Sequence, residues 1–338
     1  MHCHAPAYQV DLRQHGARTT PENAETDRPV SNLNPAGAEA APFHIRYSRD
    51  SMKLPQFEYR APATAAEVVD LLASYGGAAK ILAGGQTLLP TMAFRLAQPV
   101  ALIDLRKIES LRRISVEASA VVLGARTRWR DIEDSPELSV AHPLLVEAIR
   151  HVAHYQVRNR GTVGGSLAHA DPAAEMPCIA VTCEAELRLL SPRGERHVAA
   201  KDFFVGPLTT ALADDEMILD VRLPAWPASR RWAFVEFSRR PGDFALAGVA
   251  LCYDLDAEER ARNVHIGIIS ACYYAQRLTG AERMFEGHRP TPDTASRVAA
   301  AAAEAVDAPD DLHASAAYRK ALVGTLMERA IEKAATRT

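Results

Sequence analysis

Closely spaced cysteine pairs of the C-x-x-C type are absent from this 338-residue sequence. Iron–sulfur clusters and structural zinc sites draw on closely spaced cysteines, and small secreted domains carry an even disulfide set. The five cysteines here are an odd number and show no C-x-x-C spacing. They are Cys3, Cys178, Cys183, Cys252 and Cys272. We therefore expect reduced thiols, no disulfide framework and no cluster or metal ligands in this chain.

An excess of charge of one sign is also missing. Lysine and arginine total 39 against 42 acidic residues, a formal net charge of −3. Such a balance gives no basic field for nucleic acid or an anionic membrane. Hydrophobic residues make up 48%, but every apolar run is shorter than the ~20 residues of a transmembrane helix. With no export signal at the N-terminus, we expect a protein of the cytoplasm without a transmembrane segment.

The standard nucleotide-binding fingerprints are absent as well. Neither G-x-G-x-x-G nor G-x-x-x-x-G-K-[ST] occurs in the sequence, which disfavours a Rossmann or P-loop domain. If the chain binds a nucleotide cofactor, it does so through another arrangement of glycines.

The length predicts two domains after an N-terminal extension. Residues 1–51 carry no sustained apolar period, so we expect a disordered, dispensable extension, and Met52 could be the natural start. The Pro- and Ala-containing segment 224–229 is the expected boundary between domains. The predicted division is therefore 52–228 and 229–338.

Local signals predict mixed helices and strands. A capping box at Thr64 and Glu67 starts a helix that Gly76 ends, and strands are expected near 80–83 and 100–105. A hairpin is predicted at 114–124. A helix is predicted over the stripe Leu144, Leu145, Ala148, Ile149 and Val152. Asp171 before Pro172 predicts the N-cap of the next helix. Three strand-like runs at 232–238, 246–254 and 264–271 and then two helices complete the chain.

A first glycine motif follows the strand at 80–83. Glycines after a strand allow backbone N–H groups to approach phosphate oxygens, although Gly-Gly in this place is also common as a simple tight turn. The candidate binding residues are Leu82, Ala83, Gly84, Gly85, Gln86, Thr87 and Leu88.

A second glycine motif lies about 80 residues later, in the segment 158–172. Two glycines there are flanked by hydroxyl side chains, and a carboxylate suited to sugar hydroxyls follows. The candidate binding residues are Thr162, Gly164, Gly165, Ser166, His169 and Asp171. Two such loops together suit a ligand whose pyrophosphate is gripped from both sides.

The two motifs resemble the FAD loops of the molybdenum hydroxylase flavoprotein (medium) subunits, the carbon monoxide dehydrogenase and xanthine dehydrogenase family. The sequences are Ala-Gly-Gly-Gln-Thr-Leu-Leu-Pro at 83–90 and Arg-Asn-Arg-Gly-Thr-Val-Gly-Gly-Ser-Leu-Ala-His-Ala-Asp-Pro at 158–172. The resemblance continues through 202–206, 216–219, 238–245 and the final helix. It implies an α+β fold, in which a two-part FAD-binding domain of the PCMH type precedes a smaller α+β domain with a three-stranded sheet and helices.

The same resemblance implies the function of an electron-transfer subunit of an oxidoreductase. FAD would bind with Ile218 near the adenine or the flavin, Phe244 near the flavin ring, and His169 as a scaffold residue or flavin contact. Because neither motif places a His or Cys in a tethering position, we expect the binding to be non-covalent. No side chain is expected to act as a catalytic acid or base. The [2Fe–2S] centre and molybdopterin would lie in a small and a large partner subunit, in a dimer of heterotrimers. The chain would pass electrons to an external acceptor.

One departure and two alternatives remain open. Several relatives carry a lysine near the flavin where this chain has Val235 and Glu236, and a carboxylate facing the ring would disfavour the anionic reduced flavin. A self-contained flavin oxidase with its own substrate pocket is the main alternative, and a binding module that has lost FAD is the second.

Overall fold

The computed structural model describes residues 54–337. The predicted N-terminal extension, 1–51, lies outside the described residues, so its properties stay a prediction. None of the helices in 54–337 contains an apolar stretch of the length that a membrane span requires.

A small parallel sheet opens the described part of the chain. Its strands are β1 (Glu58–Arg60), β2 (Ala79–Leu82) and β3 (Ala101–Asp104), arranged in the order β1–β3–β2. Helix α1 (Ala65–Tyr75) joins β1 to β2, and α2 (Leu88–Ala93) joins β2 to β3. The glycine motif at 83–88 therefore lies between the carboxyl end of β2 and the start of α2.

The predicted ends of α1 are confirmed. The Thr64 hydroxyl accepts a hydrogen bond from the Glu67 amide at 3.2 Å, and the Glu67 carboxylate accepts one from the Thr64 amide. Gly76 ends the helix in the left-handed region at φ 52°, which glycine adopts without the usual Cβ penalty.

A five-stranded antiparallel sheet follows. Its strands are β4 (Ile114–Val116), β5 (Ala120–Gly124), β6 (Glu186–Ser191), β7 (Gly194–Ala199) and β10 (Met217–Pro224). Between β7 and β10 the chain forms a separate two-stranded sheet of β8 (Phe204–Gly206) and β9 (Thr209–Thr210). The order in the large sheet is β4–β5–β10–β6–β7. The predicted hairpin is confirmed as β4 and β5.

Helices cover the segment between β5 and β6 and follow β7. They are α3 (Trp129–Glu133), α4 (Pro136–Ala141), α5 (Pro143–His151), α6 (Tyr155–Arg158), α7 (Val163–His169), α8 (Glu175–Thr182) and α9 (Ala200–Phe203). The predicted apolar stripe lies buried on α5, with Val152 directly after its end.

Two local predictions in this region were wrong. The glycines of the second motif are not a loop, because Gly164 and Gly165 lie inside α7. Asp171 does not cap the next helix, because α8 begins only at Glu175. Instead Asp171 accepts a hydrogen bond from the Ala173 amide at 2.8 Å and closes a turn between the two helices.

The last part of the chain is a three-stranded antiparallel sheet with helices on one face. Its elements are β11 (Arg231–Phe237), β12 (Ala247–Leu255), β13 (Ala261–Ile269), α10 (Thr279–Phe285), α11 (Pro292–Ala305) and α12 (Ala316–Ala335). The predicted strands and closing helices are confirmed, whereas α10 was missed.

The sheet of β11 to β13 takes part in two apolar cores. Ala233 and Val249 pack with α11 and α12, whereas Phe234 and Ala250 pack with α5 and α8 of the preceding region. Because side chains alternate along a strand, Glu236 lies on the same face of β11 as Phe234. This face is the one turned toward α5 and α8.

A candidate cofactor site between two glycine motifs

The two glycine motifs meet backbone to backbone. A Cβ atom built at Gly84 would lie 2.2 Å from the carbonyl oxygen of Arg160 and 3.0 Å from the Cα of Gly161. A Cβ built at Gly161 would lie 2.6 Å from Nε1 of Trp129. Only glycine therefore fits at both positions, and the pair forms the floor of the site.

The first motif presents unused backbone donors. Among the described residues, the backbone N–H groups of 84–88 donate to no protein acceptor, although Leu89 already donates to the Gly85 carbonyl. Gly85 has φ 73°, a conformation that turns successive amides toward one side. Consecutive free amides of this kind form an anion-binding nest.

The second motif contributes differently from the first. The amide of Val163 donates to Thr127 O at 3.0 Å, and that of Gly164 donates to Ala125 O at 2.8 Å. The Gly165 amide donates to the Thr162 hydroxyl at 3.2 Å. These amides are already used inside the protein, so this segment supplies close packing and a wall of the site.

Gly164 makes that close packing possible. A Cβ at this position would lie 2.7 Å from the Ala125 Cβ and 2.9 Å from the Ala125 carbonyl oxygen. Helix α7 can therefore lie directly against the end of β5 only because residue 164 has no side chain.

A cavity of about 600 Å³ lies over both motifs, within the size range of small-molecule sites. All but one of the predicted binding residues line it. These are Ala83, Gly84, Gly85, Gln86, Thr87, Leu88, Thr162, Gly164, Gly165, Ser166, His169, Asp171, Ile218 and Phe244. Leu82 does not line the cavity, and its side chain lies beneath Gly85.

Ile218 and Phe244 reach the cavity from distant parts of the chain. The pairing of β10 with β6 shifts register between Ile218 and Asp220, and such a bulge re-aims the side chains beside it. Ile218 is buried, whereas Phe244 is 71% exposed at the cavity edge. Phe244 lies two residues after Gly242, and a Cβ built at Gly242 would lie 2.2 Å from Cε1 of His154. His154 thus supports the turn that carries Phe244.

Glu216 is held in place at the cavity by Arg196. Both Glu216 carboxylate oxygens accept hydrogen bonds of 2.7 Å from the Arg196 guanidinium, and Oε2 also accepts the Ala213 amide. The Arg196 contact, the largest cause, lowers the pKa of Glu216. Glu216 is therefore ionised and its oxygens are occupied, which indicates a structural role.

Glu175 was missed by sequence reasoning. It is the first residue of α8 and lines the cavity. Burial, followed by the negative charges of Glu236 and Asp171, raises the pKa of Glu175 to about 8. Because this value lies above neutral pH, Glu175 is mostly a neutral carboxylic acid that can donate a hydrogen bond. No signal in the sequence separates it from an ordinary helix-starting glutamate.

Glu236 itself does not line the cavity. Its side chain is 6% exposed, and Oε1 lies 3.4 Å from Nδ1 of His151. Val235 points to the opposite face and packs against the core of the C-terminal sheet and helices. Glu175 lines the cavity together with Asp171 and Glu216, whereas Glu236 does not.

Comparison with known proteins decides the family. A model described as the FAD binding domain in molybdopterin dehydrogenase matches residues 55–226. A second, described as the CO dehydrogenase flavoprotein C-terminal domain, matches residues 232–334. The chain belongs to the FAD-binding subunit family of the molybdenum hydroxylases. The resemblance inferred from the glycine motifs and the α+β fold class are both confirmed.

Relatives of this family match almost over their full length. The nicotine 6-hydroxylase medium subunit of Paenarthrobacter nicotinovorans is 41% identical, and the alignment covers 85% of this chain and 100% of that subunit. The carbon monoxide dehydrogenase medium chain of Hydrogenophaga pseudoflava is 38% identical, covering 83% and 97%. A chain of quinoline 2-oxidoreductase from Pseudomonas putida 86 superposes with a TM-score of 0.80 at 38% identity, covering 84% and 98%. As a member of this family, the chain is an oxidoreductase subunit.

The residues present fit the FAD of this family. The free amides of 84–88 suit a pyrophosphate, and the apolar side chains of Ile218 and Phe244 line the same cavity. Gly84 and Gly161, which lie in close backbone contact, both line that cavity.

Proposed function

We propose that this chain is the FAD-binding electron-transfer subunit of a molybdenum-containing hydroxylase. It accepts electrons from a [2Fe–2S] partner and passes them to an external acceptor. The observation that carries this proposal is the run of free backbone amides at 84–88, opening onto a cavity between two glycine motifs. FAD, when bound, supplies the electron chemistry, and the protein supplies binding and tuning.

The residues are assigned by what each offers the cofactor. Residues 83–88 hold the pyrophosphate through their amides, and residues 162–166 close the other side with hydroxyl groups and packed glycines. Asp171 serves the polar chain of FAD, and Ile218 and Phe244 supply apolar contacts. Leu82 acts indirectly, because it supports Gly85 from below.

We infer an outside electron donor because the sequence lacks the cysteine spacing of an iron–sulfur relay. The four cysteines in the described residues are all buried. The relatives named above are medium subunits or chains. We infer a small iron–sulfur subunit and a large molybdopterin subunit as partners, in a dimer of heterotrimers.

We also propose two domains, 52–228 for FAD and 229–338 as the flavoprotein C-terminal domain. The C-terminal sheet and helices form a core of their own, while the opposite face of the sheet packs on the FAD-binding part. At ~100 residues, the C-terminal domain is small for the substrate-covering domain that a self-contained oxidase needs.

A cofactor titration tests the assignment. The full chain, freed of flavin and titrated with FAD, should bind one equivalent and quench the flavin fluorescence. FMN should bind far more weakly, because it lacks the pyrophosphate and adenosine. A chain that binds neither flavin, or that prefers FMN, contradicts the proposal.

A further inference from the structure

Arg319 is a buried arginine outside the cofactor cavity. It lies in the first turn of α12, its side chain is 4% exposed, and it does not line the cavity. A charged group is costly to bury unless its charge and its hydrogen-bonding groups find partners. The acceptors that Arg319 contacts therefore show which segments it holds together.

Two backbone carbonyls accept hydrogen bonds from the same nitrogen of Arg319. Nη1 donates to the Leu246 carbonyl at 2.7 Å and to the Ser270 carbonyl at 3.0 Å. Leu246 directly precedes β12 and lies two residues after Phe244, which lines the cavity at its edge. Arg319 thus fixes the end of the turn that carries Phe244.

Ser270 continues this connection to the other side of the cavity. Its amide donates to the Pro172 carbonyl at 2.9 Å, and Pro172 directly follows Asp171, which lines the cavity. Ser270 has φ 60°, a left-handed conformation that is uncommon for a residue with a side chain. The backbone of Ser270 thus donates to Pro172 and accepts from Arg319. Through it, Arg319 also holds the turn of Asp171.

Asp311 orients the Arg319 guanidinium. Nη2 donates to Oδ2 of Asp311 at 2.6 Å, and Oδ1 of Asp311 accepts the His313 amide at 2.8 Å. Arg239, in the loop that joins β11 to β12, donates to the His313 carbonyl. The segment before α12 therefore anchors both Arg319 and the loop whose end Arg319 holds.

We propose that Arg319 is a positioning residue for the flavin end of the cofactor, because it holds the turn of Phe244 and the turn of Asp171 at a fixed separation. The inference rests on the proposed function, in which Phe244 contacts the flavin and Asp171 serves the polar chain of FAD. Residues 84–88, which hold the pyrophosphate in that proposal, make no hydrogen bond to Arg319 in the described part of the chain. Arg319 therefore acts on the flavin half of the cofactor and leaves the diphosphate half unchanged.

Separate titrations of the flavin-free full chain with FAD and with ADP test this division. ADP carries the adenosine and diphosphate of FAD but no flavin. Arg319→Met should weaken FAD binding about tenfold, an effect of the size that a residue without ligand contact exerts through its neighbours. ADP affinity should change by less than about twofold, as for an independent site, and this result also shows that the variant is folded.

Arg329→Met is the matched control, because Arg329 is exposed on the same helix. It should change neither affinity. Equal losses of FAD and ADP affinity in Arg319→Met, or an FAD affinity that equals that of Arg329→Met, overturn the proposal.

Arg319→Lys decides the question if Arg319→Met does not fold. Lysine keeps the charge beside Asp311 but lacks the planar fork that serves three acceptors. FAD affinity should therefore fall by about threefold, with ADP affinity unchanged. Unchanged FAD affinity in a folded Arg319→Lys chain refutes the positioning role.

A double-mutant cycle tests whether Arg319 acts through Phe244. In the Phe244→Ala background, the loss of FAD affinity caused by replacing Arg319 should be about threefold smaller than in the wild-type background, since the side chain that it positions is gone. Equal losses in the two backgrounds contradict the positioning role alone. A wild-type chain that does not bind FAD contradicts the proposed function itself, and the role of Arg319 with it.

Discussion

Replacing Gly84 with alanine perturbs the contact on which the candidate site is built. The added Cβ would lie 2.2 Å from the Arg160 carbonyl oxygen, whereas ordinary contacts begin at 3.4 Å. Both partners are backbone, so neither can move aside as a flexible side chain would. The two glycine motifs must separate by about 1 Å, and overpacking of this kind costs ~1–3 kcal/mol.

The lost energy should appear in cofactor binding, because the same residues carry the free amides of the nest. Each ~1.4 kcal/mol is a factor of ten in affinity, so we expect Gly84→Ala to weaken FAD binding about 10- to 100-fold. Fluorescence titration of the flavin-free variant measures this, and thermal unfolding measures the change in stability.

Gly280→Ala is the matched control. Gly280 lies in α10, and a Cβ there meets nothing within 4 Å. We expect unchanged FAD affinity and stability that is equal or higher by up to ~1 kcal/mol, since alanine favours a helix over glycine. If Gly84→Ala binds FAD as tightly as Gly280→Ala does, the contact between the motifs does not shape the site.

Three further predictions use separate features. Gln86→Ala should change FAD affinity by less than about threefold, since the exposed Gln86 side chain donates only one 3.4 Å hydrogen bond, to the Gly84 carbonyl. A loss of affinity as large as in Gly84→Ala would show that side chains, not backbone amides, bind FAD. Burial lowers the pKa of His142 to about 4. The contribution of neutral His142 to the free energy of unfolding is therefore complete above pH 6.5 and is lost as the pH falls toward 4. Urea unfolding should show a decrease of about 2 kcal/mol in the free energy of unfolding from about pH 7 to about pH 5. The substitution His142→Gln should make this decrease smaller. FAD should be released completely by acid precipitation, and a yellow pellet would indicate a covalent bond.

Local signals in the sequence were sufficient where neighbouring residues decide the structure. The capping box at Thr64 and Glu67 and the glycine at 76 determine α1 within one segment. The motif at 83–88 could likewise be predicted as a turn with unused amides, because a strand precedes it and a helix follows.

Tertiary contacts account for what the sequence did not predict. Glycine is a poor helix former, so Gly164 and Gly165 indicated a loop. Packing against Ala125 requires glycine at position 164, and α7 forms nevertheless. The raised pKa of Glu175 in α8 depends first on burial and then on the charge of Glu236 in β11. No spacing along the chain shows that these two residues are neighbours.

Co-purification from the native host, followed by a substrate challenge, tests the central claim most directly. The account predicts that this chain is recovered with two further polypeptides, one carrying a [2Fe–2S] spectrum and one carrying molybdopterin, and that a substrate of the complex bleaches the flavin only when all three are present. If the isolated FAD-loaded chain is reduced by that substrate at a steady catalytic rate, it is a self-contained oxidase and the account is wrong.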